Sequence, residues 1–217
     1  MCELLAMSTH HTAQLTVSLE ALAGHSGPAG GTRDGWGVAY FQGRDVALFR
    51  EPSAASDSPL VRWLGQSGPA TTLVIAHIRR ATLGTVALSN TQPFVRELGG
   101  RAHVFAHNGH LPGIARSQEL AFDRYRPILF RLSPACGVAQ HPPSAQSAPV
   151  ALAAQALTLI ASVPLDGRQW QPFAEGEVVV VSAGRTSTQT NQSAPGASPD
   201  DERAGRIPQF TGESYVE

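Results

Sequence analysis

The sequence predicts a mixed α/β domain running from Cys2 to about Ile128. Three observations predict it. Apolar runs of strand length recur between Gly, Pro and Asn punctuation. Two stretches carry helical spacing with clear stops. Two further apolar runs, Thr72–Ile78 and Ala102–Ala106, each lead straight into a polar cluster, the kind of strand end that holds chemistry.

The elements follow in order. Glu3–Met7 reads as an N-terminal strand, with His10-His11 in a solvated loop after it. Leu15, Leu19 and Leu22 fall on one face of a helix that Gly24 terminates. Gly37–Phe41 and Asp45–Phe49 flank the Gln42-Gly43-Arg44 connection as a β-hairpin. A second helix begins at Ser58 as cap and Pro59 as first residue, buries Leu60, Trp63 and Leu64, and closes at Gly65. Beyond Arg124 the texture changes: no Asp or Glu occurs until after Leu165, and Ser133–Val150, rich in Ala, Pro, Ser and Gln, reads as loop. A short helix fits Val150–Leu157, and Thr158–Val163 and Glu177–Val181 return to β-branched, strand-like character. From Ser182 to Glu217 the tail is low in apolar residues and is expected to be disordered.

Bulk properties narrow the class of function. The 217 residues suffice for one domain with a real core. Sixteen basic residues, all Arg, against 17 acidic ones argue against a polybasic surface for nucleic acid or membrane. A small neutral substrate or another protein fits better. The two cysteines, Cys2 and Cys136, make no disulfide framework, and no apolar run approaches the length of a spanning helix, so a soluble, cytoplasmic protein is expected.

Cys2 is the residue of most chemical interest. Removal of Met1 leaves a thiol and a free α-amine on one terminal residue. Such groups ordinarily titrate within about one unit of each other, so the amine serves as the thiol's own base and no histidine partner is required. His77, His107 and His110 lack a helical ligand register and a completing Cys or carboxylate, so neither a metal nor another cofactor is expected. Trp36 reads as a packing residue near the site.

Four segments line up behind Cys2: Met1–Ser8, Asp34-Gly-Trp-Gly-Val-Ala-Tyr40, Ala76-His-Ile-Arg-Arg-Ala-Thr-Leu-Gly84 and Phe105-Ala-His-Asn-Gly-His110, with Ser89–Phe94 between the last two. In that order and spacing they resemble the class II glutamine amidotransferases, specifically the small stand-alone branch consisting of little beyond the glutaminase domain. The resemblance runs from residue 1 to about 128 and returns at Ile160–Leu165, Trp170 and Glu175–Val178, which implies a glutamine amidotransferase type 2 domain over residues 1–181. It further implies an α+β N-terminal nucleophile hydrolase fold, an αββα sandwich, incomplete in its second half. By the resemblance, Cys2 attacks the glutamine side-chain amide through a thioester and releases ammonia and glutamate. The Asn108 side chain and the Gly109 N–H then receive the oxyanion, and Arg79, assisted by Thr82, takes the substrate α-carboxylate.

The sequence departs from the family's pattern past Ile128. The short acidic segment whose Asp binds the substrate α-amino group is replaced by Leu129-Phe-Arg-Leu-Ser133, leaving Glu119 and Asp123 as the nearest acidic alternatives. Residues 129–157 read as a divergent, loop-like insert in place of the family's central section, as in a shortened or frameshifted form of a longer ancestor. Gln92 stands where the family usually has His. Three functions remain open: glutamine hydrolysis with ammonia passed to a separate acceptor protein, hydrolysis of a larger γ-glutamyl amide, and a catalytically impaired remnant acting as a binding subunit.

Overall fold

The long strand β1 (Glu3–Ala13) is the spine of the domain, paired antiparallel to β4 (Thr71–Ile78) on one side and β8 (Leu157–Ala161) on the other. The computed structural model describes residues 2–27, 31–82, 84–108, 137–141, 155–165, 167, 170–174 and 177–189, with the backbone alone at 17, 137–141 and 188–189. β1 outruns the strand expected at Glu3–Met7. His10 and His11 are exposed but lie on it, next to a register shift between Ser8 and Ala13.

Helix α1 (Val17–Gly24) follows, with Leu15, Leu19 and Leu22 buried as their spacing predicts. The hairpin of β2 (Trp36–Gln42) and β3 (Asp45–Glu51) forms in unbroken register, closed by Gly43 at φ +65°. At α2 (Pro59–Ser67), the Ser58 hydroxyl accepts from the Val61 N–H at 3.2 Å, the expected cap. Of the face expected, Leu64 is buried and Leu60 packs half-buried against the same core, but Trp63 does not. Val61, Leu64 and Gly65 point inward while Trp63 is 50% exposed. At about 100° per residue, a stripe through 61, 64 and 65 leaves 63 on nearly the opposite side of the helix. Gly65 does not end the helix; a β-carbon there would lie 3.1 Å from Glu20 Oε1, so the glycine lets α2 approach α1 closely.

A seven-stranded sheet runs β3-β2-β4-β1-β8-β7-β9, where β7 is Gly137–His141 and β9 is Gln171–Pro172. Two two-stranded sheets join β5 (Phe94–Leu98) to β6 (Arg101–Phe105) and β10 (Val178–Ser182) to β11 (Arg185–Gln189). Two of these strands correct the sequence reading. β7 lies within the stretch expected to be loop, where its backbone pairs the otherwise open edge of β8. β11 lies within the expected tail, because the Ala183-Gly184 turn folds its Thr- and Ser-rich backbone onto β10. Of the helix expected at Val150–Leu157, Leu157 is strand and 150–154 lie outside the described residues, as do 190–217 of the tail.

Directly paired residues share a face, so the register divides the large sheet. Leu5, Met7, Val38, Tyr40, Val74, Ala76, Leu159 and Ala161 form one core with Leu19 and Leu22 of α1 and Val61 and Leu64 of α2. Each fully buried Leu or Val contributes about 1.5–3 kcal/mol. Leu4, Ala6, Ser8, Gly37, Ala39 and His77 alternate onto the opposite face. There the β10–β11 turn is bonded down: the Gly184 N–H donates to Ser8 Oγ at 3.1 Å, and Thr158 Oγ1 donates to the Gly184 carbonyl at 2.9 Å. The result is a sheet-dominated α+β fold with both described helices on one side of the large sheet.

Candidate active site

Strand β4 ends at Ile78, opposite Glu3, and the chain on either side brings Cys2 beside Arg79 and Arg80. The Arg80 main-chain N–H donates to Cys2 Sγ at 3.3 Å, and the thiol reaches the Arg80 carbonyl at 3.4 Å. Cys2 is partly exposed, so the sulfur is held by main chain yet reachable. Glu3, the next residue, is fixed by a 2.5 Å contact with His25 at the end of α1.

Segment 34–35 grips the end of β4. The Asp34 N–H donates to the Arg79 carbonyl at 3.0 Å, and the Arg79 N–H donates to the Gly35 carbonyl at 2.7 Å. Asp34 Oδ2 then accepts from the Ala81 N–H at 2.7 Å, which turns the chain. Gly35 adopts φ +141° with Thr91 Oγ1 only 2.8 Å from where a β-carbon would sit, so no other residue fits. Arg79 is 7% exposed, and its guanidinium donates from Nη1 to the Asp34 carbonyl at 3.3 Å. A buried charge is tolerated only when it is oriented and partnered. Thr82, expected beside it, is exposed three residues on.

Asn108 arrives from β6. Its Nδ2 donates to Ser162 Oγ at 2.9 Å, and the same oxygen accepts from the Leu4 N–H at 3.0 Å. The Ser162 N–H returns a bond to the Leu4 carbonyl at 2.9 Å. The Asn108 amide is therefore tied to β1 two residues from Cys2. Just before it, the His107 N–H donates to Gln92 Oε1 at 2.6 Å. Gly109, expected to supply the second oxyanion donor, lies outside the described residues, as do His110, Cys136, Glu119 and Asp123.

His77 is fully buried, and among the described residues neither ring nitrogen has a side-chain hydrogen-bond partner. Burial pushes its pKa from 6.5 down to about 3, and the neighbouring charges of His107 and Arg79 act in the same direction. The His107 backbone pulls the other way. Trp36 packs as expected, 1% exposed, with Nε1 donating to Glu51 Oε2 at 3.0 Å. No group of three metal-ligating side chains occurs among the described residues, and no described helix is long and apolar enough to cross a membrane.

The structure thus brings Cys2, Arg79 and Asn108 around the end of the β1–β4 ladder. Sequence reasoning missed Asp34 and Ser162 as organisers of that end. The signal was faint: Asp34 opens the Asp34–Tyr40 segment and Ser162 lies within the strand-like run Thr158–Val163, but neither has a type or spacing that marks a role.

Comparison with known proteins identifies the family. Residues 1–129 match the family described as glutamine amidotransferases class-II. The chain is 38% identical over 128 residues to the Escherichia coli protein named "Putative glutamine amidotransferase YafJ", covering 59% of this chain and 49% of that one. It is 42% identical over 114 residues to a Haemophilus influenzae protein of the same description, covering 52% of this chain and 39% of that one. The chain therefore spans about half or less of the length of these curated relatives. A 2.0 Å crystal structure described as a predicted glutamine amidotransferase from Pseudomonas aeruginosa aligns with a TM-score of 0.52 at 25% identity, over 85% of this chain and 99% of that one. With the family's match extending across more than half of its length, this chain belongs to the class II glutamine amidotransferases.

Proposed function

We propose that the chain hydrolyses the side-chain amide of glutamine through a cysteinyl thioester, on an N-terminal nucleophile hydrolase sandwich. The observation that carries this reading is the 3.3 Å bond from the Arg80 N–H to Cys2 Sγ, which fixes a reachable sulfur beside the Arg79 end of β4. Once Met1 is removed, the Cys2 α-amine takes the thiol proton, and the sulfur attacks the amide carbon. The resulting oxyanion accepts from Asn108 Nδ2 and, by the family resemblance, from the Gly109 N–H, and such donors stabilise the developing charge. Collapse breaks the carbon–nitrogen bond, and the proton held by the α-amine leaves with ammonia. Water, deprotonated by the same amine, attacks the thioester; the carbon–sulfur bond breaks and glutamate departs.

Arg79 holds the substrate α-carboxylate in this reading. A planar, permanently charged donor suits a two-oxygen acceptor, and its attachment to Asp34 supports a fixed orientation. Ammonia then passes to a separate acceptor protein. The test is ammonia release from glutamine by the chain and its Cys2→Ala variant, alongside cleavage of a γ-glutamyl anilide. Cys2-dependent release from glutamine supports the reading. Cleavage of the anilide alone reassigns the substrate to larger γ-glutamyl amides, and activity surviving Cys2→Ala overturns the mechanism.

A further inference from the structure

We propose that Ser162 is the positioning residue for the oxyanion donor Asn108. This rests on the reading of Asn108 given above. Ser162 comes from the strand after the central section, 54 residues beyond Asn108 and 158 beyond Leu4, yet one oxygen joins all three. The residue is buried, 6% exposed. It accepts from Asn108 Nδ2 and from the Leu4 N–H at 2.9 and 3.0 Å, filling both of its acceptor positions.

The consequence follows from the chemistry of a primary amide. Nδ2 carries two N–H bonds. The one given to Ser162 fixes the rotation of the amide plane, and the other is left to point at substrate. Without Ser162 the Asn108 side chain is free to turn about its last torsion, which is broad for a terminal amide. The donor is then present but not aimed, and electrostatic stabilisation depends on aim. The same oxygen ties this donor to Leu4, so the nucleophile at position 2 and the oxyanion donor are referenced to one strand. The Ser162 hydroxyl also stands in the β1–β8 ladder where a main-chain carbonyl would otherwise accept the Leu4 N–H, which gives it a structural role to be separated from the positioning one.

The experiment is a double-mutant cycle on the full chain, measuring kcat and KM for glutamine in the parent, Ser162→Ala, Asn108→Ala and the double variant, with Ser162→Thr as the conservative exchange. Misaiming the donor is expected to lower kcat by about 10- to 100-fold while KM moves less than about twofold. Ser162→Thr restores most of the rate, and Ser162→Ala has almost no further effect once Asn108 is already Ala. Equal losses of rate in both backgrounds, no rescue by Thr, or an unchanged kcat in Ser162→Ala overturns the inference. If the parent itself releases no ammonia, the reading of the site has failed and this inference falls with it. A second measurement needs no destabilising variant. The side-chain amide proton pair of Asn108, identified by its disappearance in Asn108→Ala, is expected to be well separated and slow to exchange in the parent. A pair that exchanges as fast as a solvent-exposed asparagine shows that the tether does not exist.

Discussion

The Cys2 sulfur and the Arg80 main-chain N–H stand 3.3 Å apart, joined by the end of the same strand pairing that builds the core. The proposed nucleophile is thus held by backbone that the fold already orders. Cys2→Ala removes the sulfur and little else, since the residue is only partly buried. We expect ammonia release to vanish while stability changes by no more than about 0.5 kcal/mol, checked by denaturant titration beside the activity assay.

Asn108→Ala leaves the nucleophile in place and removes one oxyanion donor. The expected loss is about 10²- to 10³-fold in kcat, on the order of 3–4 kcal/mol of barrier, with KM for glutamine nearly unchanged. A change confined to KM contradicts the assignment.

Asp34→Ala removes the acceptor of the Ala81 N–H and loosens the turn that presents Arg79. Because Arg79 is proposed to bind substrate and not to move protons, KM is expected to rise by about 10-fold with kcat largely preserved. Asp34→Asn keeps a side-chain oxygen in the same place and should stay near the parent.

His77 predicts an acid limb in stability. Its folded pKa is depressed, from 6.5 to about 3, so the unfolded chain binds the extra proton between those two values. Stability is therefore fully present above about pH 6.5 and lost as pH falls toward about 3, with a slope near 1.4 kcal/mol per pH unit around pH 5. The charges of His107 and Arg79 disfavour its protonation, while the His107 backbone favours it. In His77→Asn this share of the slope disappears, as denaturant midpoints between pH 7 and pH 4 will report.

Gly37 marks a close backbone approach above the sheet. A β-carbon there would overlap the Gln92 carbonyl oxygen and lie 2.7 Å from Arg50 Cγ. Gly37→Ala is expected to destabilise by about 3 kcal/mol or more, because backbone rather than a flexible side-chain tip blocks the space.

Much of the N-terminal half was legible because its signals are local. The Leu15–Leu19–Leu22 spacing, the Ser58-Pro59 start and the Gly43 turn each act within a few residues, and α1, α2 and the β2–β3 hairpin formed where they point. Trp63 was misread because a bulky aromatic carries no information about which side of a short helix faces inward. β7 and β11 were misread because backbone pairing with a distant or adjacent edge, not side-chain pattern, makes them strands. The same distinction holds at the site. Cys2, Arg79 and Asn108 announce themselves by residue type, position and order. Asp34 and Ser162 act through main-chain groups brought together across 47 and 158 residues, which only the folded register reveals.

The central claim, a terminal sulfur and amine acting together on a small amide, is met most directly by intact-mass measurement before and after treatment with a diazo-ketone analogue of glutamine. The account predicts a chain lacking Met1 that gains one adduct on Cys2, and no adduct in Cys2→Ala. A chain that retains Met1, or a label that persists without Cys2, contradicts it.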